Sequence, residues 1–156
     1  MALEIERKYL VDHKKWNELE KPAGKFYRQG YLSTDENKTV RIRVSDAEAY
    51  LTIKGKSTGA TRSEFEYEIP LTDAEQMLNT LSESELSKTR YKINYQGKLW
   101  EVDVFHNANE GLIVAEIELN SEDEKFDLPD WVLQEVTDDP KYYNSNLTLI
   151  PFKTWE

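Results

Sequence analysis

Apolar and polar residues alternate along most of this chain, in short runs bounded by turn-forming residues. The runs are Glu4–Val11, Phe26–Ser33, Thr39–Ser45, Ala49–Lys54, Ser63–Ile69, Leu86–Tyr95, Leu99–Phe105 and Leu112–Leu119. A period of two sends successive side chains to opposite faces of an extended backbone, so these runs predict eight β-strands. The glycines of GKSTG (Gly55–Gly59) mark a loop, Pro70 stops the fifth run, and Gln96–Gly97–Lys98 turns a hairpin. Helical spacing is rarer. Asp12 is placed to cap a short helix carrying Trp16 and Leu19. Thr72 and Glu75 have capping-box spacing, and Ala74, Met77, Leu78 and Leu81 recur at i, i+3, i+4 and i+7, which predicts an amphipathic helix. Asp139–Pro140 has the form of a cap followed by proline at a helix's first position. Short connections between strands favour an antiparallel closed sheet over a parallel one. The expected architecture is α+β and mainly antiparallel: an eight-stranded closed β-barrel with a few helices outside, in one domain over residues 1–156.

The two faces of these strands differ in kind. One carries Ile5, Val40, Ile42, Val44, Leu51, Ile53, Phe65, Tyr67, Ile69, Trp100, Val102, Val104, Ile113, Ala115 and Ile117. The other carries Glu4, Glu6 and Lys8; Arg41 and Arg43; Lys54; Glu64, Glu66 and Glu68; Lys88, Arg90 and Lys92; Glu101 and Asp103; Glu116 and Glu118. Alternation alone describes any half-buried sheet. Near-complete ionisation of the polar side, with signs grouped by strand, does not. Curling the sheet with that side inward gives a charged tunnel whose apolar outside is covered by helices.

Composition narrows what such a tunnel could take. The formal net charge of −10 argues against nucleic acid or an anionic membrane as the main partner. The absence of cysteine removes disulfides, thiolate metal sites and cysteine nucleophiles. No apolar run reaches membrane-spanning length, and charged Glu4–Lys8 stands where a signal peptide would be apolar; a soluble, cytoplasmic protein is expected. The basic rows suit a polyanion. The carboxylates suit Mg²⁺ or Mn²⁺, which take hard oxygen ligands and bridge phosphates. Arg41 and Arg43 offer bidentate forks to phosphate oxygens, and Lys54 and Lys88 offer point charges. No GxxxxGK[ST] loop is present, so side chains rather than backbone amides would grip phosphate. His13 and His106 read as surface residues without partners.

The motifs behind these faces resemble the CYTH superfamily, the triphosphate tunnel metalloenzymes. EIERK (Glu4–Lys8) is similar to that family's ExExK motif. RIR (Arg41–Arg43), LTIK (Leu51–Lys54), EFE (Glu64–Glu66), KTRY (Lys88–Tyr91), VDVF (Val102–Phe105), AEIEL (Ala115–Leu119) and EVTDDPKYYN (Glu135–Asn144) follow in order. The resemblance implies hydrolysis or rearrangement of a triphosphate with a divalent metal. Carried over by position, it implies Glu4, Glu6, Glu116 and Glu118 as metal ligands, with Asp103, Glu64 and Glu66 as further metal or water-network ligands. It implies Lys8, Arg41, Arg43, Lys54, Lys88 and Arg90 as phosphate-binding residues, and Tyr31 in RQGYL as a substrate contact. Glu4, Glu6, Lys8 and Lys88 form the expected catalytic set. Lys141–Tyr142 stands where many relatives have Arg-Tyr, so Lys141 is left out of the site. Lys92 and Glu68 lie outside the motifs. The expected substrate is inorganic tripolyphosphate, since no motif beyond Tyr31 would clamp an adenine. An adenylate cyclase of the class IV type, a thiamine triphosphatase and a non-catalytic polyphosphate-binding module are the alternatives, and monomer and homodimer are both open.

Overall fold

A computed structural model describes residues 2–155. The strands are β1 (Leu3–Val11), β2 (Lys25–Asp35), β3 (Lys38–Ser45), β4 (Glu48–Gly55), β5 (Thr61–Glu68), β6 (Ser84–Tyr95), β7 (Lys98–Phe105), β8 (Ile113–Glu118) and β9 (Val132–Glu135). The helices are α1 (His13–Glu18), α2 (Leu71–Thr80) and α3 (Asn144–Leu149). The sheet runs β5-β4-β3-β2-β6-β7-β8-β1-β9, and β1 also pairs with β5, which closes an eight-stranded antiparallel barrel. The unpredicted β9 is a short addition on β1, too brief for its alternation to register in the sequence.

Several local devices set this geometry. The hairpin between β6 and β7 is a two-residue turn at Gln96 (φ 49°) and Gly97 (φ 78°), with Tyr95 paired to Lys98; two positive φ values give the turn the twist of its flanking strands. A register shift between Tyr31 and Ser33 bends β2 against β3. Gly30 lies where a Cβ would meet the Leu78 side chain of α2 at 2.6 Å, so a larger residue would have to displace that side chain.

Asp12 caps α1 as expected, its carboxylate accepting from the Lys15 amide at 3.0 Å. The capping box at Thr72 does not form. Helix α2 begins two residues earlier than that cap implies, directly after Pro70, with no side-chain cap among the described residues, and Leu81, which ends it, is 61% exposed. Pro70 removes an amide from the β5 ladder and sets a φ of −59°, so the chain turns into helix at once. Asp139–Pro140 starts only a 3-10 turn, Pro140–Tyr142, in which Asp139 accepts from the Lys141 amide.

Outside the barrel, Trp16 of α1, Trp131, Tyr9, Trp100, Val102 and Ile117 form one core, and Ala74 and Leu78 of α2 pack on Ile42 and Ala49 in another. The expected helical cover is incomplete: on β5, Phe65 is 45% and Tyr67 57% exposed. Within the barrel the inward row changes character along the strands. Leu10, Leu86, Phe105 and Val114 continue the rows of Lys8, Lys88, Asp103 and Glu116, and with Leu147 of α3 they fill one end with an apolar plug. Among the described residues no helix is long and apolar enough to cross a membrane.

Candidate active site

Above the plug the barrel encloses a chamber of about 210 Å³ with a polar and mostly charged lining. Register explains why these side chains meet. Lys8 is paired with Glu116 and Glu6 with Glu118 across β1 and β8; Arg90 faces Asp103, Tyr31 faces Arg41, and Lys54 faces Glu64. Opposite residues on adjacent strands share a face. Of the residues expected from the sequence, Glu4, Glu6, Lys8, Tyr31, Arg41, Arg43, Lys54, Glu64, Glu66, Lys88, Arg90, Glu116 and Glu118 all line this one chamber.

Asp103 does not. It points inward but lies beneath Arg90 and Lys88, fully buried, and its oxygens are engaged by Arg90 Nε at 2.7 Å, Arg90 Nη2 at 2.9 Å and Lys88 Nζ at 2.8 Å. Its environment makes it an anchor for two cations. Glu68 and Lys92 are exposed and outside the lining. Lys141 is exposed as well, its Nζ lying 4.6 Å from the centroid of the Trp155 ring. His13 is exposed, but His106 has partners: Nε2 is 2.7 Å from Thr89 Oγ1 and its ring stacks on Phe26.

The acidic side is crowded. Lys8 Nζ bridges Glu116 at 2.9 Å and Glu6 at 3.0 Å, and Lys54 Nζ reaches Glu4 at 3.1 Å and Glu64 at 3.3 Å. Burial, followed by the neighbouring Glu116 charge, pushes Glu6 up to about 8. Burial also acts on Glu4, but Lys54 and Arg62 outweigh it and hold that carboxyl at about 2. Glu118 is raised by burial and then by Glu4 and Glu101. Among the described residues no three acidic or histidine side chains form a ready-made metal cage. The donor set nonetheless fits a divalent cation. It is made of hard oxygens, and the proton retained by Glu6 beside Glu116 marks where added positive charge would be accommodated.

The basic side has donors to spare. Arg41 Nη2 donates to Thr52 Oγ1 at 3.1 Å and lies 3.6 Å from Glu66, while its buried Nε has no partner among the described residues. Arg43 uses only Nε, donating to Gln29 Oε1 at 3.2 Å. Burial and the charges of Arg41 and Arg90 lower Arg43 to about 10. Lys88, fully buried, is lowered to about 7 by desolvation, with Asp103 resisting and Arg90 assisting the shift.

Sequence reasoning missed Arg62, Thr39, Tyr143, Asn144 and Ser145 in the lining, left Glu101 without a role, and passed over Gln29 behind it. Arg62 was legible: it extends the Glu64–Glu66 row by one step to the N-terminal side. Asn144 closes the EVTDDPKYYN motif, but only the fold shows that its Oδ1 accepts from Lys88 Nζ at 2.8 Å.

Comparison with known proteins agrees with this geometry. A protein named inorganic triphosphatase from Acetivibrio thermocellus is 48% identical over 157 residues, covering 100% of this chain and 99% of the relative. Another of that name, from Nitrosomonas europaea, is 36% identical over 94% of this chain and 97% of its own. The crystal structure of an inorganic triphosphatase superposes with a TM-score of 0.66 at 32% identity, covering 96% of each chain. The CYTH domain model matches residues 2–151. With its closed barrel and charged chamber, the chain belongs to the CYTH family.

Proposed function

We propose that this protein is a divalent-metal-dependent triphosphatase that hydrolyses inorganic tripolyphosphate to pyrophosphate and orthophosphate inside the chamber. The observation that carries the reading is the division of the lining. Arg43, whose Nε alone is engaged, and Arg41 line the same enclosed space into which Glu4, Glu6, Glu116 and Glu118 project carboxylate oxygens. A polyanion carrying its own cation complements both. The names of the relatives support the same activity.

Glu4, Glu6, Glu116 and Glu118 would hold Mg²⁺ or Mn²⁺, with Glu64 and Glu66 nearby. The ion would neutralise phosphate oxygens and favour ionisation of water. Arg41, Arg43 and Lys54 bind and orient the phosphate chain, so that water attacks the terminal phosphorus in line and the bond to the bridging oxygen breaks. Lys8 and Arg90 stabilise the charge that develops. Lys88 holds a proton on Nζ that is easily released near neutral pH, the property a general acid needs at the leaving pyrophosphate oxygen. Asp103 keeps Lys88 and Arg90 in place, and Tyr31 contacts the substrate from β2.

The test is a product assay with tripolyphosphate, ATP and thiamine triphosphate, each with Mg²⁺, Mn²⁺ or excess chelator. The expected result is orthophosphate released fastest from tripolyphosphate and no turnover in chelator. Cyclic AMP and pyrophosphate as the main products from ATP, or full turnover in chelator, would overturn the proposal.

A further inference from the structure

One neutral side chain braces the part of the lining that holds Arg43, Tyr31 and Asn144. Gln29 of β2 is completely buried, yet its amide meets three polar partners. Nε2 donates to the Tyr31 hydroxyl and to Asn144 Oδ1, both at 3.2 Å, and Oε1 accepts from Arg43 Nε at 3.2 Å. Chemistry fixes which way the amide points. Arg43 Nε can only donate, so it must face the Gln29 oxygen; Asn144 Oδ1 also accepts from Lys88 Nζ at 2.8 Å, so it must face the Gln29 nitrogen.

We propose that Gln29 is a positioning residue for the triphosphatase site, orienting Arg43 and Tyr31 directly and Lys88 through Asn144. The inference rests on the triphosphatase reading. With Nε taken by Gln29, the guanidinium plane is fixed and both Nη groups are left for phosphate oxygens. The Tyr31 oxygen accepts from Gln29, which leaves the hydroxyl hydrogen for the chamber. Asn144, at the start of α3, ties the same amide to Lys88 and to the plug. A carboxylate at this place would also hold Arg43, but it would cancel the charge needed for a polyanion. An amide orients the cation and leaves its charge intact.

The experiment is a double-mutant cycle of Gln29→Met, which keeps the length and removes every hydrogen bond, with Arg43→Lys, which keeps the charge and removes Nε. In the wild-type background Gln29→Met should lower kcat/KM for tripolyphosphate at least about ten-fold, mainly through KM. In the Arg43→Lys background the same change should cost at least about three-fold less, the remaining loss being that of Tyr31 and Lys88. Equal losses in both backgrounds, or a loss matched by the fraction of unfolded protein, would overturn the proposal. A readout free of turnover guards against a variant that does not fold. In the wild-type protein, the arginine Nε–H resonance that disappears in Arg43→Lys should be protected from solvent exchange, and exchange as fast as in free arginine overturns the proposal. A wild-type protein without tripolyphosphate hydrolysis, but with that resonance protected, overturns the functional reading and leaves the Gln29–Arg43 contact standing.

Discussion

Arg90 and Arg43 flank the ring of Tyr27, 5.7 and 4.9 Å from its centroid, and both face the chamber. They are held by opposite means. Arg90 is saturated: Asp103 takes two of its nitrogens, and Glu101 and Glu116 lie 3.3 and 3.5 Å away. Its pKa rises well above the ordinary value because those carboxylates outweigh the cost of burial. Arg43 has one neutral partner, no ion pair among the described residues, and a lowered pKa. The β6–β8 wall is thus a finished structure with or without a ligand. On β3, Arg43 holds positive charge that no carboxylate among the described residues pairs. A binding site of this kind divides its cations between those that hold the fold and those that await an anion, and neighbouring residues of one type can fall on opposite sides of that division.

Removing charge from each wall separates the two roles. The largest loss of stability is expected from Asp103→Asn, which leaves Lys88 and Arg90 buried without their shared counter-charge; urea unfolding should show a loss of about 3–5 kcal/mol. Arg43→Ala should do the reverse. The variant should lose roughly 2–3 kcal/mol in kcat/KM, while its melting temperature stays level or rises, because repulsion from Arg41 and Arg90 is relieved. A matching loss of stability would place Arg43 with Arg90 and break the comparison.

Glu6→Gln tests the acidic side in chelator. Glu6 carries a folded pKa of about 8 against an ordinary 4.5. Between these values the folded protein keeps a proton that the unfolded chain has lost, so this group's contribution to stability falls as pH rises through the window. The substitution should therefore stabilise by a few kcal/mol, at most about 5, above pH 8 and by almost nothing below about pH 4.5. With Mg²⁺ or Mn²⁺ restored, the variant should show no activity at any pH at which the wild-type protein turns over. A melting curve that shows no pH-dependent gain would contradict the crowding of Glu6 by Glu116. The smallest effects belong to Glu68→Gln and Lys92→Gln, whose side chains are exposed outside the lining; each should change stability by less than about 0.5 kcal/mol and leave turnover unchanged.

Strand faces were legible because charge, unlike ordinary polarity, marks a row unmistakably: Lys88–Arg90 and Glu116–Glu118 announce their side of the sheet. The same rule concealed the plug. Leu10, Leu86 and Phe105 point inward with Lys8, Lys88 and Asp103, but an apolar residue at a strand's end looks the same whether it fills a barrel or covers one. The role of Asp103 was beyond sequence reading for a related reason. Its place in the charged row says which way it points, while its depth depends on Arg90 and Lys88 closing over it. Thr72 and Glu75 had the correct spacing for a cap, and Pro70 decided the helix start instead. Asn144 and Gln29 carry no charge and belong to no alternating row of one sign, so only their contacts identify them.

The closing strand has a consequence for how the protein is made. Strand β1 pairs with β5 at Leu3–Ile5 and with β8 at Glu6–Leu10, and Lys8 meets Glu116 across 108 residues of chain. During synthesis β1 therefore emerges first and completes its pairing among the last, after β8 has left the ribosome. Contacts this distant in sequence slow folding, because loop closure must precede the gain from pairing. The nascent strand meanwhile keeps Glu4, Glu6 and Lys8 in solvent, where a charged edge resists pairing with other chains. The residues that serve the finished chamber would thus also protect the unfinished one from aggregation.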